Sequence, residues 1–188
     1  MRLSRLLGVL GAAISYPFIL VSILFSPWFS IYDNALSDLG NTSLNGSISW
    51  VFNAGLIISG FLIACFALTK FVNRIVVRIV SWALPLTVAG VDLALIGIFP
   101  ENRGEIHGVV SVIFFTLMIL GMLIYGFVSL PLGSQTIRAI AFAFAITSIV
   151  IWFAPWPWKG VAIQETLTSI MGSLWLILVA VNRQRASK

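Results

Sequence analysis

Charge is scarce in this 188-residue chain: Asp, Glu, Lys and Arg make up 9% of it, against about 25% in an ordinary soluble domain. Cysteine occurs once, as Cys65, so no disulfide framework and no Cys-rich metal site can be assembled within the chain. Histidine also occurs once, as His107, which excludes a zinc site with several His or Cys ligands and bis-histidine haem ligation. No G-x-S-x-G elbow, H-E-x-x-H pair, G-x-x-x-x-G-K-[ST] loop or dinucleotide fingerprint is present. The net charge of +5 is not gathered into a basic stripe, so it does not point to nucleic acid. Neither a resident cofactor nor a bound metal is expected.

What the chain has in quantity is apolar sequence, 60% of its residues. It falls into runs of the length that crosses a hydrocarbon layer of about 30 Å, at about 6–27, 48–69, 79–99, 108–130, 137–155 and 161–181. The expected fold is therefore all-α: a polytopic bundle of six transmembrane helices with short loops, formed as a single membrane domain over residues 1–188. Met1–Arg5 followed by Leu6–Phe25 has the outline of a secretion signal, but the apolar part is too long and lacks an A-x-A-like exit. It reads as the first span. Residues 30–47, rich in Asn, Asp, Gly and Ser, form the longest connection and read as a loop.

Orientation follows from the basic residues, which are retained in the cytoplasm when loops are short. One side holds Arg2, Arg5, Lys70, Arg74, Arg78, Arg138, Arg183, Arg185 and Lys188, and the other only Arg103 and Lys159. Both termini are thus expected in the cytoplasm, in a cell (plasma) membrane. Trp28, Trp50, Trp152, Trp156 and Trp158 gather at the expected outer interface, where an amphipathic indole is favoured.

The polar residues within spans carry the functional signal. Asp92 and Glu165 fall in the outer halves of spans three and six, with Asn53 one turn inside span two and His107 at the start of span four. A carboxylate in hydrocarbon costs at least about 2.5–3.5 kcal/mol, so it turns inward and finds a partner. Glu165, Thr168, Ser169, Gly172 and Ser173 recur at spacings of three and four and share one helix face. These residues suggest an outward-opening polar pocket in which Asp92 or Glu165 is protonatable and His107 its partner. The same residues fit a plainer reading: Asp92 hydrogen-bonded between helices, Glu165 snorkelling to water, and His107 capping a helix. Gly8, Gly11 and Ser15, and Gly55 and Ser59, are spaced for close helix packing. Pro85 is expected to kink span three. Asn41-Thr42-Ser43 and Asn45-Gly46-Ser47 match the glycosylation acceptor pattern.

Leu36-Ser37-Asp38-Leu39-Gly40 after span one, Asn53-Ala54-Gly55-Leu56 in span two, and Phe99-Pro100 followed by His107-Gly108 together resemble the uncharacterised prokaryotic multi-pass membrane protein family called domain of unknown function 998. The resemblance covers the first four spans. It implies a small multi-pass membrane protein without an assigned activity, and it draws attention to Ser37, Asp38, Asn53 and His107.

Three functional readings follow. The first is a pocket in the outer leaflet that binds or processes a lipid headgroup or other small amphiphile. Ser37, Asn53, Asp92, His107 and Glu165 are its candidate ligand-binding residues, and Asp38, Asp92, His107 and Glu165 its candidate catalytic groups. The second is a small proton- or ion-coupled transporter in which Asp92 and Glu165 change protonation. The third is a structural or accessory membrane protein with no catalytic site. The bilayer is the expected partner, with a homo-oligomer as a further option.

Overall fold

A computed structural model describes residues 2–73, 77–128 and 134–182, with side chains described from 2–70, 82–127 and 134–182. Among these residues the chain is helical between its loops and contains no strand. The first apolar run folds as α1 (Arg2–Ala13) and α2 (Ser15–Leu24). Pro17 explains the break: it has no N–H to donate, and its ring crowds the carbonyl four residues earlier, that of Ala13. After a short 3₁₀ helix, Leu36–Gly40, and the one-turn α3 (Thr42–Asn45) come α4 (Ser49–Asn73) and α5 (Val77–Ile98). Then follow α6 (Glu105–Val128), α7 (Gln135–Phe153) and α8 (Ala162–Val181).

Five helical stretches are long and apolar enough to cross a membrane: Arg2–Leu24, Thr42–Lys70, Glu105–Phe127, Gln135–Phe153 and Ala162–Val181. Trp82–Ile98 is an apolar sixth, the described part of α5. The expected six-helix bundle is therefore present, and the chain is an integral membrane protein. The last residues of the expected span four, 129 and 130, lie outside the described residues. The helix continues through Pro85.

From α4 to α8 each helix packs against the next, α4 and α5 antiparallel, and α1 closes the bundle against α4 and α8. A Cβ on Gly8 would lie 2.6 Å from Ala180 Cβ, so the two termini share one end. The connections 25–48, 99–104 and 154–161 share the other, called here the loop end. The closest pair is α4 with α5, where a Cβ on Gly90 would lie 2.6 Å from the Ala64 nitrogen. Without hydrophobic drive between helices in lipid, such small-residue contacts supply van der Waals packing. Near the end that holds the termini, Trp82, Tyr125 and Trp175 pack edge to face with centroids 5.4–6.2 Å apart. All three rings are almost fully buried.

Candidate functional site

The polar segment after α2 is folded down onto the bundle rather than left in solvent. Leu36 and Leu39 turn inward, Leu39 being fully buried. Asp38 accepts the Ala35 N–H at 3.0 Å and the Asn34 side-chain amide at 2.9 Å, which ties down the first turn of its own 3₁₀ helix. Glu165 of α8 accepts the Leu36 N–H at 2.5 Å. The Asn53 amide donates to Gly40 O at 3.0 Å. Gly40 is required there, because a Cβ would collide with the Asn53 side chain.

The rest of the loop end is pinned as tightly. Asn45 donates to Leu39 O at 2.9 Å and accepts from Ser26 at 2.8 Å. Asn41 accepts the Ser43 N–H and donates to Glu101 at 2.8 Å. Both asparagines of the glycosylation patterns thus have their side chains occupied. The connection before α8 docks through its backbone, with Gly160 N on Tyr32 O at 2.8 Å and Ala162 N on Asn34 O at 3.0 Å.

Beneath this cover lies a cavity of about 80 Å³, several times the ~10–15 Å³ that one water needs. Its walls are mostly apolar, contributed by α2, α4, α5 and α6 through residues such as Ile19, Leu56, Leu93 and Met118. One side is polar: Glu165, Thr168, Ser169 and Ser173 of α8 form a stripe facing it, joined by Tyr16, whose hydroxyl donates to Ser173 at 2.9 Å. Leu36 and Ser37 form the end under the loops, and Met122 and Leu176 reach towards the aromatic cluster. From Glu165 to Ser173 the stripe runs about 12 Å at 1.5 Å per residue.

The expected site residues are therefore divided. Glu165 and Ser37 line the cavity, and Asn53 is committed to Gly40 O. His107 bonds Phe99 O through Nδ1 at 2.8 Å and Ser111 through Nε2 at 3.3 Å. It joins the end of α5 to the start of α6 and touches the cavity only through Ser111. Asp92 lies on α5 beside Leu93, off the cavity wall, 6% exposed and with Oδ2 unpartnered. Asp38 serves its own helix, outside the cavity. Tyr16 is the cavity residue that sequence reasoning missed; Pro17 beside it, which starts a new helix and turns Ser15, Tyr16 and Ile19 inward, was the available signal. Among the described residues, no three His, Cys, Asp or Glu side chains gather as a metal-binding group.

Glu101 lies outside the spans. Burial pushes its carboxyl above its ordinary value of 4.5 and the adjacent Asp38 adds to this, while the Asn41 hydrogen bond opposes it. A raised folded-state value means that folding binds the proton more tightly. The stability this gives is complete below pH 4.5 and is lost as pH rises through the raised value. The melting temperature of the wild type is expected to fall more over that interval than that of Glu101→Gln, which keeps an acceptor for Asn41. Parallel curves in detergent would remove Glu101 as the cause.

Motif by motif, the loop segment 36–40 and Asn53 are one contact, and His107 meets Phe99 in another. A family model described as "Protein of unknown function (DUF998)" matches residues 9–182. The chain belongs to this family. No curated protein and no solved structure matches it. For this DUF998 member, Leu36–Gly40 and Asn53 are thus the two halves of a cover over the cavity, each accounted for by a contact.

Proposed function

We propose that this DUF998 protein binds a small amphiphile or lipid in the cavity between its helices, from the outer face of a cell membrane. The observation that carries the reading is a mostly apolar cavity with one hydrogen-bonding stripe, Glu165 to Ser173 with Tyr16. Sites for small molecules have this character, apolar walls with a few placed polar groups. The apolar walls would take the chain of the ligand and the stripe its head. The outward direction rests on the basic residues, which are concentrated towards the end that holds the termini.

Binding is favoured over carriage because the far end of the cavity meets the buried cluster of Trp82, Tyr125 and Trp175, which offers no polar route onward. It is favoured over hydrolysis because His107 is held by Phe99 O and Ser111, away from Glu165's wall. Ser111, the wall hydroxyl that meets His107 Nε2 at 3.3 Å, has no carboxylate behind the imidazole, whose Nδ1 is spent on the Phe99 carbonyl.

Native mass spectrometry of the purified protein tests this. The wild type is expected to retain one amphiphile per chain, and Ser169→Leu, which fills the cavity from its polar side, to lose it while still folding. A ligand at one hundred times its Kd stabilises by about 2.7 kcal/mol, so added lipid should raise the melting temperature of the wild type alone. A wild type that carries no amphiphile and gains nothing from added lipid would sink the reading.

A further inference from the structure

The chemistry of the cavity wall narrows the occupant further, on the basis of the binding reading above. We infer that the head group it takes is an amine, held as an ammonium ion against Glu165, and not a phosphate, carboxylate or other anion.

The first ground is charge. Glu165 and Tyr16 are the ionisable side chains on the wall, and no Lys, Arg or His lines it. Asp38 and Glu101 lie close to the same end, so the charge that end can carry is negative. The bases of the loop end do not offset it from inside. Arg103 and Lys159 are absent from the wall, and His107 is engaged with Phe99 O and Ser111.

The second ground is the direction of the hydrogen bonds. Thr168 donates its hydroxyl proton to Gln164 O at 2.7 Å, and Ser169 donates to Thr166 O at 2.9 Å. Ser59 gives its proton to Gly11 O at 2.6 Å, and Tyr16 gives its own to Ser173. These hydroxyls turn lone pairs, and not protons, to the cavity. Glu165 accepts the Leu36 N–H on one oxygen and has the Ser37 N–H beside it. The stretch of wall around Glu165 is thus rich in acceptors and is matched by a head that donates, and an ammonium group has three N–H donors and no acceptor. An anion beside Glu165 would find the hydroxyl protons of Thr168 and Ser169 already given to backbone carbonyls, a condition under which burying charge is costly.

Glu165, Thr168 and Ser169 lie within about one turn of α8, so the head would sit under Leu36 and the chain would point towards Met118 and Met122. Octylamine, octanol and octanoate share one chain and differ in the head alone, so they separate these effects. Their binding to the protein in nanodiscs at neutral pH can be measured calorimetrically, with empty nanodiscs subtracted. Octylamine is expected to bind at least ten-fold more tightly than octanoate, with octanol between them. In Glu165→Gln, whose amide oxygen can still accept the Leu36 N–H, octylamine should fall to the level of octanol while octanol is unchanged. Octanoate binding as tightly as octylamine, or three equal affinities blocked by Ser169→Leu, would overturn the amine assignment and leave the cavity reading intact. Failure of all three to bind would overturn both. The wild-type series decides between the heads even if Glu165→Gln does not fold.

Discussion

Gly160→Val is expected to destabilise the protein by about 3 kcal/mol or more, one of the two largest effects the structure predicts. Gly160 sits in the connection before α8, where its N–H donates to Tyr32 O. A Cβ there would lie 2.5 Å from Asn34 N and 2.6 Å from the Asp33 carbonyl carbon. These are backbone atoms that cannot rotate aside, so the two loops must part. Parting them breaks the bonds of Lys159, Gly160 and Ala162 to the 32–34 backbone and leaves the buried Ala162 N–H unpaired, at about 1–3 kcal/mol. It also frees Leu36 from Glu165, which uncovers the cavity. Limited proteolysis should therefore cut the 30–41 segment in the variant sooner than in the wild type. Gly108→Ala is the matching control: a Cβ there meets nothing within 4 Å, and an Ala for Gly exchange in a helix is worth up to about 1 kcal/mol of added stability. If Gly160→Val melts with the wild type, the loops are not docked as described.

The helices were legible in the sequence because hydropathy acts along the chain: a run near 20 residues long has to span or be buried, whatever its neighbours do. The loop end was not legible, because its order comes from contacts between residues far apart. Nothing local in Glu165 announces that it accepts an N–H from residue 36, or in Asn53 that it holds Gly40. Asn41 and Asn45 read as glycosylation acceptors until their side chains are found committed within the fold. The polar face of α8 was visible from its spacing, whereas the opposing wall depended on helix rotation. Asp92 illustrates this, since it sits one position from Leu93, a wall residue, yet does not reach the wall itself. The small residues that matter most between α4 and α5 were also missed. A Cβ on Gly60 would lie 2.5 Å from the Ala94 nitrogen, but small residues alone do not say which helices meet.

Asp92→Leu is expected to stabilise the protein by about 1–3 kcal/mol, the penalty of leaving a buried polar group unpaired. Asp92 lies on α5, is 6% exposed, and its Oδ2 has no hydrogen-bond partner. Asp92→Asn should gain less, because an amide removes the charge but still brings two donors and an acceptor that need partners. Asn53 gives the opposite expectation. It is equally buried but bonded to Gly40 O, so Asn53→Ala should cost about 1–3 kcal/mol. The pair separates burial from satisfaction, since exposure alone would assign both residues the same sign. Thermal unfolding of the three variants in one detergent measures it. If Asp92→Leu melts below the wild type by more than Asp92→Asn does, the carboxyl is held by something other than the chain, such as a water or ion beside α5. Its place would then be a second polar site, separate from the Glu165 cavity. If it melts above the wild type, Asp92 stabilises nothing in the fold, and a residue kept in hydrocarbon at that cost must be explained by what the protein does.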